Sequence, residues 1–147
     1  MMPPAARLNA FPVFFRVENR MIVIVGGGEE ALAKARLLAQ SSADLTIVAA
    51  VPEEGLAEWA ASNSVDILRE PYEAAHLAGA ALVFAASGEE ALDRRVAGDA
   101  RRAGIPVNAV DRSELCDFFT PALVNRAPLA VAIGTEGAGP VLAQIVR

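Results

Sequence analysis

Three features of the sequence predict an α/β fold with a doubly wound parallel sheet. Apolar runs alternate with helix-forming segments through Asp111. One run, MIVIVG at 21–26, is continuously apolar and β-branched, as a strand covered on both faces requires. It enters a triple glycine, Gly26-Gly27-Gly28, and a helix-forming segment follows at once.

Taken in order, PVFFRV at 12–17 and MIVIVG at 21–26 read as two strands with ENR at 18–20 as the turn between them. EEALAKARLLAQ at 29–40 is helix-forming, with Ala31, Ala35, Leu38 and Ala39 available for one face and Lys34 and Arg36 elsewhere. DLTIVAA at 44–50 is the next strand, and Pro52 near a first turn opens a second helix. VDILRE at 65–70 is a weaker strand and ALVFAAS at 81–87 a strong one. A helix then runs from about 89 to 103, Gly104 ends it, and IPVNAVD at 105–111 is another buried strand. After Asp111 the pattern changes to two strands, 117–125 and 128–134, joined by Asn125-Arg126-Ala127, and then to a loop that opens a helix at Pro140. The expected organisation is a Rossmann-like dinucleotide-binding domain over 1–113. Residues 114–147 then form an appendage whose last helix is cut short, so the natural fold is expected to continue.

A net charge of −5 argues against a general nucleic-acid binder, whose phosphate contacts need a concentrated Lys/Arg stripe. Cys116 is the only cysteine and His76 the only histidine, so neither an internal disulfide nor a zinc site of the usual Cys/His spacing can be assembled. Both residues read as packing or surface groups. No apolar stretch is long enough for a membrane span, and the start, MMPPAARLNA, lacks the basic-then-apolar order of a signal peptide. A cytoplasmic, unexported chain with no membrane or nucleic-acid partner is expected.

Gly26-Gly27-Gly28-Glu29-Glu30-Ala31 fits G-x-G-x-x-A, in which the first glycine permits the turn and the second lets a pyrophosphate approach the backbone at a helix N-terminus. The competing reading is a structural turn. The fingerprint's ribose-binding acid should close the second strand, but that place reads Val48-Ala49-Ala50-Val51. The first carboxylate is Glu53, read as a solvated helix-start residue, and the loop leaves NAD against NADP open.

Asp111 closes a predicted parallel strand beside Asn108 and before Arg112, where open α/β sheets place their ligands. It reads either as a catalytic carboxylate or as a cap. Arg112 and Arg126 are candidates for carboxylate recognition by paired hydrogen bonds. Arg94, Arg95, Arg101 and Arg102 read as a solvated helix face.

As a set, FPVFFRVENR, VGGGEEALAKARLL, LTIVA, VNAVDRSELCDFFTPALVNRAPLAVAI and GPVLAQIVR resemble the N-terminal module of the siroheme synthase family. This is the family of precorrin-2 dehydrogenases and sirohydrochlorin ferrochelatases, and the resemblance spans nearly the whole chain. It implies NAD-dependent oxidation of precorrin-2 to sirohydrochlorin, followed in many members by insertion of Fe2+, and a homodimer. Asp111 falls on the family's catalytic aspartate. Gly26, Gly28, Glu29 and Glu30 would line the cofactor turn, with Ala50 and Val51 near the adenosine through backbone contacts. Asn108, Arg112 and Arg126 would face substrate, and Thr135 matches a hydroxyl of the family's serine-rich loop.

The sequence departs from the family at Ser87-Gly88-Glu89, at Asp93 where asparagine is usual, at Asn125-Arg126-Ala127-Pro128, and at Glu136 and Gly139. These departures support a second reading, a non-catalytic NAD-binding or dimerisation module or an incomplete fragment.

Overall fold

Five of the apolar runs hydrogen-bond side by side in a parallel sheet. In the computed structural model, which describes residues 6–134, these strands are β1 (Met21–Val25), β2 (Asp44–Val48), β3 (Asp66–Leu68), β4 (Ala80–Ala85) and β5 (Val107–Ala109). Their order is β3-β2-β1-β4-β5, and all four pairings are parallel. Helices α1 (Glu29–Leu38), α2 (Glu54–Ser62) and α3 (Glu90–Arg102) make the main crossovers. The strand order reverses between β1 and β4, so the carboxyl ends of those strands flank the crevice where sheets of this kind take ligands.

Alternation along the strands divides the core in two. Val23, Val25, Val83, Ala85, Val107 and Ala109 pack with Val96, Ala97 and Ala100 of α3. Ile22, Ile24, Ile47 and Phe84 alternate with that set and are also fully buried. The buried positions of α1 and α3 are mostly alanines, Ala31 and Ala35 on one and Ala97 and Ala100 on the other, so these helices approach the sheet closely. Gly104, at φ +73, supplies the left-handed residue that ends α3.

Asp99 of α3 is tied to the segment before β4. The Tyr72 hydroxyl donates to Asp99 Oδ2 at 2.8 Å, and Arg102 pairs with the other oxygen. The Tyr72 bond, followed by that of Arg102, holds the Asp99 carboxyl below its ordinary range although burial opposes it, and burial drives the Tyr72 phenol well above its own. A carboxylate depressed in the folded state contributes stability above its unfolded value, about 3.9, and that contribution is lost as pH falls through the folded value. Tyr72→Phe removes the largest cause. Urea unfolding should find the variant about 1–2 kcal/mol less stable at neutral pH, and losing less than the parent on acidification below about pH 4.

Several sequence expectations are corrected. Residues 12–17 form no strand: both ladder edges of β1 are taken by β2 and β4, and Phe11, Val13 and Phe14 are largely exposed. Pro52 stands, as expected, near the first turn of α2, immediately before its extended cap, Glu53. The last two strands are β6 (Ala122–Arg126) and β7 (Leu129–Ile133), an antiparallel pair in which Arg126 faces Leu129. Asn125 and Arg126 are therefore ladder residues and the turn is Ala127-Pro128, with a cis peptide bond and the Ala127 N–H donating to Asn125 Oδ1 at 3.0 Å. The helix expected from Pro140 lies outside the described residues.

The chain divides into two compact units. One is Arg16–Asp117 and holds the parallel sheet; the other gathers, of the described residues, 6–15 and 118–134 with the β6–β7 pair.

Candidate functional site

The glycine turn is fixed by the strands on either side of β1. The Gly26 N–H donates to Val48 O at 3.0 Å and the Ala86 N–H to Val25 O at 2.8 Å. Gly26 has φ +154, and a Cβ there would lie 2.0 Å from Ala86 O. Gly28 caps α1 without a side chain, and the first helical bond runs from Leu32 N–H to Gly28 O at 3.1 Å. The N–H groups before Leu32 in that turn therefore have no partner within the helix and give an anion a place to bind.

The segment after β2 closes over this turn. The Glu53 N–H donates to Gly27 O at 2.8 Å, and a Cβ on Gly27 would lie 3.1 Å from Val51 O and 3.3 Å from Pro52 Cα. Ala50 and Val51 are exposed beside it, Val51 by 85%. On the β4 side, Glu30 Oε2 is buried with no hydrogen-bond partner among the described residues, about 3.9 Å from where a Gly88 Cβ would stand. A buried carboxylate oxygen without a donor is costly. A dinucleotide suits this arrangement, with pyrophosphate on the N–H groups and a sugar hydroxyl for Glu30. Gly26, Gly28, Glu29, Glu30, Ala50 and Val51 thus surround one turn.

A second group of residues stands at the carboxyl end of β5. Asp111 is exposed and adopts φ +61, a left-handed conformation that aspartate tolerates better than most residues and that clusters at functional positions. Its loop is tied back to the sheet: the Val110 N–H donates to Ala85 O of β4 at 2.9 Å and the Asp117 N–H to Val107 O of β5 at 2.8 Å, while Asp117 Oδ2 accepts from Val107 N–H at 3.1 Å. Cys116 Sγ lies 3.3 Å from both Ala109 N and Ala109 O, and burial raises its thiol above the ordinary range. This is a packing role, with no activated nucleophile.

Arg112 turns toward Asp93 of α3, its Nε donating to Asp93 Oδ2 at 3.4 Å. The Asp93 side chain is fully buried, and its Oδ1 also accepts from the Ser87 N–H at 3.1 Å and the Ser87 hydroxyl at 2.7 Å. The pair links the turn after β4 to the residue following Asp111. Asn108 is 5% exposed within β5. Arg126 is exposed in the hairpin unit, where its Nη1 donates to Asn125 O at 2.9 Å, and Thr135 lies outside the described residues.

Sequence reading missed two contributors. Lys34, on the face of α1 one turn beyond Glu30, comes within electrostatic reach of Asp111 and Cys116; burial lowers its ammonium below the ordinary lysine range while those two groups oppose the shift. The i, i+4 spacing from Glu30 was the available signal. Asp93 carried only the signal of a charge at a position where the resemblance expects an amide.

A family model described as "Putative NAD(P)-binding" matches residues 13–122. The chain belongs to this NAD(P)-binding family. Among curated proteins, this NAD(P)-binding chain is 43% identical over 140 residues to "Siroheme synthase" of Azotobacter vinelandii, covering 95% of the chain and 30% of that protein. It is 37% identical over 140 residues to "Siroheme synthase" of Psychrobacter arcticus, covering 95% of the chain and 26% of that protein. The chain therefore spans less than a third of the length of these relatives. Among solved structures, "SirC, precorrin-2 dehydrogenase" shares the fold with a TM-score of 0.73 at 24% identity, over 93% of this chain and 67% of that one.

Proposed function

We propose that the chain is the dehydrogenase module of siroheme biosynthesis, oxidising precorrin-2 to sirohydrochlorin with NAD. The observation that carries this reading is the exposed carboxylate of Asp111 at the carboxyl end of the same parallel sheet as the glycine turn. Its support from outside the site is the alignment of 95% of the chain with siroheme synthases. NAD bound at the glycine turn supplies a hydride acceptor. The chain's own residues do the rest: Gly26 and Gly28 leave room for the pyrophosphate, Glu30 accepts from a sugar hydroxyl, and Ala50 and Val51 present backbone to the adenosine. Asp111 takes the proton that leaves the macrocycle. Lys34 and Arg112, both close to Asp111, offset for a polycarboxylate substrate the repulsion of a chain of net charge −5.

Insertion of Fe2+ belongs to the same proposal in a subordinate place. It needs a base for two pyrrole protons rather than a resident metal site, and Asp111 is the carboxylate at hand. The dinucleotide-binding part is taken as 1–113 and the start of the dimerisation and substrate region as 114–147. No helix among the described residues is long and apolar enough to cross a membrane, and a cytoplasmic location suits the reaction. A homodimer is supported by exposed apolar side chains, among them Phe11 at 86%, Phe14 at 76% and Leu129 at 65%.

The test is anaerobic incubation of the purified protein with precorrin-2 and NAD, following NADH and the sirohydrochlorin spectrum. Turnover supports the reading. Dinucleotide binding without turnover favours a binding module that needs further chain to act.

A further inference from the structure

We propose that Glu53 is the residue by which this site prefers NAD to NADP, its carboxylate accepting from the adenosine ribose hydroxyls and repelling a 2′-phosphate. The inference rests on the dinucleotide reading of the glycine turn and goes beyond it by naming the group that reads the ribose.

An ordinary dinucleotide site places that acid at the end of its second strand. Here β2 ends at Val48 and is followed by Ala49, Ala50 and Val51, so the usual position holds no acid. The main chain then brings a later residue back to the turn. The Glu53 N–H donates to Gly27 O at 2.8 Å, which pins the start of α2 against the glycines. From there the side chain reaches Gly28: a Cβ on that glycine would lie 3.3 Å from Glu53 Oε1, 3.5 Å from Cδ and 3.6 Å from Oε2. Both carboxylate oxygens thus stand close over the turn that faces the pyrophosphate.

Among the described residues the carboxylate is not engaged elsewhere. Glu53 caps α2 with extended backbone, φ −66 and ψ 155, but its side chain makes no capping bond. Among the described residues it takes part in no salt bridge, and the group is exposed. A carboxylate can accept from both hydroxyls of a ribose diol. The segment from the end of α1 through β3, residues 37–68, also contains no lysine or arginine to pair with a 2′-phosphate.

The experiment is calorimetric titration of the purified protein with NAD+ and, separately, NADP+, for the parent, Glu53→Gln, and Glu54→Gln as a charge-matched control one residue away. The parent should bind NAD+ at least about tenfold more tightly than NADP+, and Glu53→Gln should reduce that ratio by about tenfold, mainly by weakening NAD+. Glu54→Gln should leave the ratio within about twofold. Circular dichroism melts keep a folding defect from passing as a binding change. A parent that favours NADP+, or a ratio unchanged in Glu53→Gln while NAD+ still binds, overturns the role of Glu53 and leaves the dinucleotide site standing. Failure of a folded parent to bind either dinucleotide overturns both.

Discussion

Gly26→Ala is expected to cost about 4 kcal/mol or more, a large share of the roughly 5–15 kcal/mol that holds a typical domain folded. The alanine Cβ would sit 2.0 Å from Ala86 O and 2.5 Å from Ala86 C, and neither is the end of a side chain that could swing away. Relief requires moving the exit of β4 from β1, yet the Ala86 N–H is bonded to Val25 O at 2.8 Å and the Gly26 N–H to Val48 O at 3.0 Å. Central pairings of the sheet would have to shift. Gly27→Ala is the informative contrast: its nearest neighbours lie at 3.1–3.3 Å in the loop after β2, so a displacement of a few tenths of an ångström suffices. Thermal melts by circular dichroism should separate the two variants widely, and equal melting temperatures would refute this account of the turn.

Asp111→Asn should lower precorrin-2 turnover by about 10²–10⁴-fold, the range typical of a positioned acid or base. NAD binding should stay within about twofold of the parent. Asparagine is the right replacement because Asp111 stands at φ +61, where asparagine is accommodated and alanine adds backbone strain. An alanine variant would thus mix loss of the carboxylate with a displaced loop. Stopped-flow measurement of NADH formation under anaerobic conditions reads the chemical step, and calorimetry reads cofactor affinity. If Asp111→Asn keeps the parent rate, the proton goes elsewhere and the proposed mechanism is wrong.

Much of the fold could be read from the sequence because parallel strands buried on both faces announce themselves. MIVIV and ALVFA carry apolar residues on consecutive positions, and a helix starts where the glycines end. The same logic misled at 12–17, where PVFFRV has a strand's composition but no ladder edge of β1 is left to pair with. Composition reports what a segment would tolerate, whereas pairing depends on strands far away in sequence. At the site, local motifs were visible and long-range pairings were not. Glu53 looked like a helix-start residue because only the fold of the loop after β2 brings its carboxylate to Gly28. The Asp93–Arg112 pair joins residues 19 apart, and the approach of Lys34 to Asp111 spans most of the sheet domain's sequence. No periodicity encodes such meetings.

The loop that carries Asp111 leaves β5 and returns to it, with Val110 fastened to β4 and Asp117 fastened twice to Val107. Ser113 and Glu114 are exposed between those fastenings. Variation and constancy are thereby separated along one short stretch. The exposed positions of the loop can be altered while the Asp111 carboxylate keeps its address, because the sheet, rather than the rim, determines it.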